Sequence, residues 1–291
     1  MTLKNIEISH NPVTLWETYH RSLYPKSVGR SADFLDLDRE KVADGGCGRL
    51  RFTMPESRYQ LQNFFEYGLG RDIKIYNDRN EVDYQGFILG LRLNTGIHIL
   101  SKSLLHIKNK IWARYDETKG VDDTQRSTVL DNLASQARFG IIEKVVGGGQ
   151  QSGLYAIDRA VGTKLDWLAW PTINPDFGAG GGDPNIQILV TGYQHTLKWR
   201  TYNQTALEDN ADLSIVATDV LTECGLSPNG FIASTNISTN VIQVPQEYDT
   251  DRFAFDVLEN LAAMGDSAGQ RWLSRVEIGR IYSLGPATRI R

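Results

Sequence analysis

The stretch Val82 to Leu93 constrains the fold more than any other part of the chain. Tyr84, Gly86, Ile88 and Gly90 alternate along it with Gln85, Phe87, Leu89 and Leu91, so an extended backbone here is largely apolar on both sides. A strand of that kind has to be covered on each face. Asp72 to Tyr76 precedes it, and Asn77-Asp78-Arg79-Asn80 between the two are turn formers or tolerate a turn, which predicts a hairpin. Further upstream, Arg49-Leu50-Arg51-Phe52-Thr53-Met54 has the period of a half-buried strand. Pro55 breaks it, and Ser57-Arg58-Tyr59-Gln60 offers a capping box for a helix. Leu61, Phe64, Phe65 and Leu69 follow at helical spacing, and Gly68 and Gly70 permit a left-handed end.

The middle reads differently. Residues 116–126 are polar and suit an exposed connection. Helical patterns run from Thr128 to Val146 and from Ser152 to Trp170, stopped by Gly147-Gly148-Gly149 and by Pro171. Leu154, Ile157, Val161, Leu165 and Leu168 form a buried stripe on the second. Asn174 to Asn185, containing Gly178-Ala179-Gly180-Gly181-Gly182, reads as a flexible loop. Strands then return at Ile186 to Trp199, and Asp212 to Gly225 reads as a strand entering a short helix. Thr250 can cap a helix from Asp251 to Met264, with Phe255, Leu258 and Leu261 on one face. Arg271 to Val276 is a strand that turns near Gly279 into a final one. The sequence thus predicts a mainly β chain with α, an α+β fold in which two β-rich regions flank a helical middle.

Composition narrows the classes of function. A chain of 291 residues can bury a real core without staples. The formal net charge of -4 argues against a nucleic-acid groove, which needs a basic face. No apolar run approaches the roughly 20 residues that span a bilayer. Met1-Thr2-Leu3-Lys4-Asn5-Ile6-Glu7 lacks the features of a signal peptide. Cys47 and Cys224 therefore read as two packed thiols in a reducing cytoplasm.

Catalytic candidates each have a structural counterpart. The glycine loop lacks the preceding strand, following helix and Gly-Lys-Ser/Thr of a phosphate cradle, and reads as a linker. His10, His20, His98, His106 and His195 are scattered, with neither cysteine near enough in sequence to complete a zinc set. No Gly-x-Ser-x-Gly elbow occurs. A glycosidase pair needs closeness in space, so Glu143, Asp158, Asp166 and Asp176 are the carboxylates to locate. Asp249, Asp251 and Asp266 fit capping and turn roles before metal binding. Trp167, Trp170, Tyr193, Trp199 and Tyr202 would make either a carbohydrate platform or core and interface packing.

Several segments, taken in order, carry a resemblance. Glu66-Tyr67-Gly68-Leu69-Gly70-Arg71-Asp72-Ile73-Lys74-Ile75-Tyr76 followed by Tyr84-Gln85-Gly86-Phe87-Ile88 resembles the first barrel of siphophage minor tail or tail-hub proteins. Ser103 to Tyr115 resembles the segment after it, and Ser135-Gln136-Ala137-Arg138-Phe139-Gly140 the family's helical Ser-x-x-x-Tyr/Phe-Gly signature. Thr201 to Thr205 and Met264 to Trp272 complete the set, which spans residues 48 to 282.

The resemblance implies two tail-tube-like β-barrel regions, over 1–115 and 186–291, flanking a helical insertion and Gly-rich loop over 116–185. It implies a hub ring, a homotrimer, at the distal end of the phage tail in the virion, made in the host bacterial cytoplasm. The expected partners are the distal tail protein ring, the tape-measure protein, and tail fibre or tip proteins. Catalytic activity, cofactor, metal, membrane insertion and sequence-specific nucleic-acid binding are not expected. A hexameric distal-tail or adaptor ring, with one barrel per subunit, is the alternative; a glycan-binding or hydrolysing tip protein is a third. The chain ends at Ile290-Arg291, sooner after Trp272 than in many relatives, so a closing strand of the second barrel is expected to be missing or to come from another chain.

Overall fold

The structure, a computed structural model, describes residues 3–9, 34–42, 45–55, 58–117, 124–150, 153–203, 210–227, 230–245 and 251–287. Ser57, Thr250, Asp249, His10 and His20, invoked above, lie outside the described residues.

Strands β1 (Leu3–Ser9), β2 (Leu35–Val42) and β3 (Gly45–Met54) precede helix α1 (Arg58–Tyr67). The predicted hairpin follows as β4 (Asp72–Asn77) and β5 (Val82–Asn94), paired antiparallel. Asn77 organises its turn: Oδ1 accepts from the N–H groups of Arg79 and Glu81, both at 2.9 Å. Every residue of β5 from Tyr84 to Leu91 is buried, as its two apolar faces demand. Strand β6 (Ile99–Ser103) then folds back on β5.

The middle departs from the helical expectation. Strands β7 (Lys110–Asp116), β8 (Thr124–Arg126) and β9 (Leu130–Asp131) lead to a short helix, α2 (Leu133–Phe139), and then to β10 (Glu143–Gln150). The helix predicted over Thr128 to Val146 is therefore a single two-turn helix between strands. Gly140, at φ 78°, stops it, and after Ile141 and Ile142 the chain continues as β10, with the β-branched Val145 and Val146 opposite Trp112 and Ala113. Helix α3 (Leu154–Leu168) forms where predicted. It packs Ile157, Val161 and Leu165 against Ile111, Ala113 and Tyr115 of β7, a small core of its own. Leu154, placed on that stripe, is instead exposed.

Strand β11 (Asn174–Asp176) lies within the predicted flexible loop and pairs with β6. Strand β12 (Asn185–Thr191) is shorter than the predicted strand; the chain leaves it at Gly192 for a 3-10 turn, Tyr193–Trp199. Strands β13 (Thr201–Tyr202) and β14 (Ala211–Asp212) precede α4 (Leu213–Val220), and a π turn over Leu221–Gly225 ends that helix. Strands β15 (Ser234–Ile237), β16 (Gln243–Val244) and β17 (Arg252–Phe253) lead to α5 (Ala254–Met264). The final hairpin is β18 (Trp272–Glu277) and β19 (Ile281–Pro286).

The fold is mixed α+β and mostly strands. An 11-stranded sheet runs β1-β4-β5-β12-β3-β18-β19-β15, with β2 on β3, β6 on β5 and β11 on β6. Strand β12 lies between β5 and β3, and Arg275 and Val276 of β18 pair in parallel with Gly45 and Gly46 of β3. Strands of residues 1–115 and 186–291 thus interleave in one sheet. A second sheet of β10, β7, β8 and β9 carries α3.

Candidate functional site

Three buried polar clusters tie these layers together. Glu143, at the start of β10, is 3% exposed. Its carboxylate meets Lys110 Nζ of β7 at 3.0 Å and Arg200 Nε at 3.3 Å, and accepts from Thr201 N at 2.6 Å and Thr201 Oγ1 at 3.1 Å. A desolvated carboxylate needs this many donors. Here they join the small sheet to the segment entering β13.

Asn109 supplies the second cluster. Its Nδ2 donates to Ser135 Oγ at 3.2 Å and to the carbonyl of Gly140 at 2.8 Å, and its Oδ1 accepts from Ile142 N at 2.7 Å. Ser135 Oγ in turn donates to the carbonyl of Ala169 at 2.5 Å, so α2 is pinned between β7 and the end of α3. The third cluster centres on Asp72 of β4, which accepts from Tyr193 Oη at 2.6 Å and Gln85 Nε2 at 3.1 Å. Burial and the adjacent Asp72 carboxylate push the Tyr193 hydroxyl well above its ordinary pKa, so it remains a donor. Gln85 Oε1 accepts from Gly279 N at 2.8 Å, carrying the network to the last hairpin.

The carboxylates nominated for glycosidic chemistry are not assembled into a pair by any shared contact. Glu143 sits in the ion cluster, while Asp158 accepts from Thr128 N at 3.0 Å and Thr128 Oγ1 at 2.7 Å. Asp166 and Asp176 are exposed on α3 and β11. Asp266 keeps its turn role, accepting from Ala268 N and Gln270 N, and these bonds hold its carboxyl below the usual range. Asp251, at φ 54°, instead receives Arg114 Nη2 at 2.8 Å and Trp112 Nε1 at 3.4 Å. No group of three or more His, Cys, Asp or Glu able to hold a metal occurs among the described residues.

The aromatic candidates separate. Tyr193, Trp199 and Tyr202 are buried, and Phe87 brings the rings of Tyr193 and Trp199 within 5.5 and 5.2 Å of its own. Trp167 and Trp170 are exposed. Both cysteines are free thiols. Burial pushes Cys47 up, and pushes Cys224 up to about 12, which keeps both protonated and poorly nucleophilic near neutral pH. The glycine loop is held by Gly180 N donating to Ile97 O at 3.0 Å and Gly178 N to His98 Nδ1 at 3.0 Å.

His195, in the 3-10 turn, is a pH-dependent element of stability. Desolvation, with Lys198 and Lys108 nearby, pushes its pKa down from 6.5 to about 4. The unfolded chain binds that proton more readily, so this contribution is intact above pH 6.5 and is lost as pH falls toward 4. Discounted for partial exposure, it amounts to about 2 kcal/mol. Urea unfolding of wild type and His195→Gln at pH 7 and pH 4.5 checks this: the variant loses less stability on acidification, by about 1–2 kcal/mol.

One apolar cavity was not foreseen. A groove of about 420 Å³ lies between α1, the end of β5, β6 and the segment around Ile173, with the buried Lys102 among its lining residues. Its parts come from segments far apart in sequence, and the local signal was limited to a buried lysine between Ser101 and Ser103 in β6.

No protein-family model, no curated protein and no solved structure matches this chain.

Proposed function

We propose that the chain is a structural component of a long-tailed bacteriophage tail tip, a hub ring between the tail tube or distal tail ring and the tip and fibre proteins. The observation that carries this reading is where the tail-hub-like segments meet. Gly70 N donates to Ile88 O at 2.9 Å, joining the Gly-Leu-Gly-Arg segment to the aromatic-x-Gly strand. Asn109, from the segment 103–115, bonds Ser135 and Gly140 of the helical signature. Phe139 of that signature is buried, and a Cβ on Gly140 would lie 2.6 Å from the Phe231 ring. Residues that resemble a family at separate places in sequence thus act together inside the fold, as one inherited architecture would require.

Surface composition supports assembly. Leu133, Tyr155, Trp167, Phe177 and Ile97 are each at least 67% exposed. Side chains of this size gain burial only when a partner covers them. Strand β15 ends the path of the main sheet among the described residues, and an edge strand favours association. A second reading, the hexameric distal-tail or adaptor ring, is favoured by the single continuous main sheet, because one sheet suits one barrel-like unit per subunit better than two.

Native mass spectrometry of the purified chain and image reconstruction of virions containing it test the proposal. A three-fold ring at the tail tip is the expected result. A six-fold ring transfers the chain to the adaptor reading, and a monomer absent from tails overturns both.

A further inference from the structure

We propose that the groove lined by Leu61, Phe65, Leu93, Leu100, Ile173 and Lys102 binds a small apolar carboxylic acid, the acid group meeting Lys102 and the hydrocarbon lying along the apolar wall. The volume, about 420 Å³, falls in the range of small-molecule sites. Leucine, isoleucine, phenylalanine and proline line it together with the polar Gln62, Glu66, Asn94 and Thr95, and Lys102 is the one cation among them.

Lys102 supplies the charge complementarity. The residue is only 8% exposed, and its Nζ donates to the Glu66 carbonyl at 2.8 Å and lies 4.9 Å from the centre of the Phe65 ring. An ammonium has three donors. Among the described residues no carboxylate stands within ion-pair distance of this one. The Glu66 carboxylate favours its charge only from longer range, and the second cation that reaches the Glu66 carbonyl, Arg138 at 3.1 Å, opposes it. Desolvation and Arg138 together push the Lys102 pKa down to about 8. The cation is therefore present at neutral pH but held at a cost, which an arriving carboxylate would relieve. A neutral apolar molecule would leave that cost in place, and a second cation would raise it.

Isothermal titration of the full chain at pH 7 with decanoate, decanol and decylammonium tests this. Decanoate is expected to bind, decanol about tenfold more weakly, and decylammonium not at all. Lys102→Met, whose side chain keeps the length without the charge, should lose the preference for decanoate while retaining decanol. Because that variant also loses the bond to Glu66, a measurement on wild type stands beside it: decanoate should slow reductive methylation of Lys102 relative to the other lysines. Equal binding of decanoate and decanol, or no protection of Lys102, overturns the proposal. Binding of an apolar peptide in the absence of decanoate binding would assign the groove to a protein partner and overturn it equally.

Discussion

Replacing Gly192 with alanine is expected to cost at least about 4 kcal/mol, enough to prevent a stable fold. Gly192 is the residue at which β12 leaves β3, and its N–H still donates to Gly48 O at 3.1 Å. A Cβ built there would lie 1.7 Å from the carbonyl oxygen of Cys47, an overlap with main chain that no rotamer relieves. The only escape is to move β3 away from β12, which opens the centre of the sheet beside Leu50, Phe52 and Val190, all fully buried. Gly181→Ala provides the matched control. Nothing lies within 4 Å of a Cβ at that position, so its stability should stay within about 0.5 kcal/mol of wild type. Circular dichroism and urea unfolding of the two variants separate the cases. A soluble Gly192→Ala protein with the wild-type unfolding midpoint would disprove the close approach.

Glu143→Ala is the second large effect, at about 3–5 kcal/mol. The loss exceeds that of an ordinary ion pair because three groups are stranded at once: Lys110, Arg200 and the donors of Thr201. Arg200 is itself largely buried, with 11% of its side chain exposed, so water cannot replace the carboxylate there. Glu143→Gln keeps an acceptor oxygen and removes the charge, and should cost less than the alanine variant. A double-mutant cycle with Thr201→Val measures the share carried by the hydroxyl. The expected coupling is about 1 kcal/mol, and additivity of the two changes would exclude the bond.

Much of the local structure was legible, and the reasons are specific. The two-sided apolar pattern of residues 82–93, the stripe of Leu61, Phe64 and Phe65, and that of Ile157, Val161 and Leu165 each report a buried surface repeated at a fixed period. Thr128 to Val146 misled because Leu133, Ala134, Gln136 and Ala137 are good helix formers, and their signal masked the strand that begins after Gly140. The strand predicted through Trp199 ended at Gly192, where the chain enters a 3-10 turn against the main chain of Cys47, a tertiary contact that the local sequence does not announce. Nothing near residues 45 or 275 announces that they pair, and the groove likewise joins residues from α1, β5, β6 and Ile173. Glu143 drew notice as a carboxylate, but its partners at Lys110, Arg200 and Thr201 were visible only once β7, β10 and β13 were brought together.

The interleaving of β12 and β18 with β3 also bears on how the chain folds while it is being made. Strand β3 leaves the ribosome early with β2 beside it, yet its other partners over Arg49–Met54 and Gly45–Gly46 come from Ile186–Thr191 and from Arg275–Val276. Until those arrive, the β1-β4-β5-β6 and β2-β3 groups of the first third lack the β12 strand that joins them. Pairings that close such long loops are slow and leave sticky edges open meanwhile. Among the described strands, the pairing of β3 with β18 can form only after the last hairpin has been made.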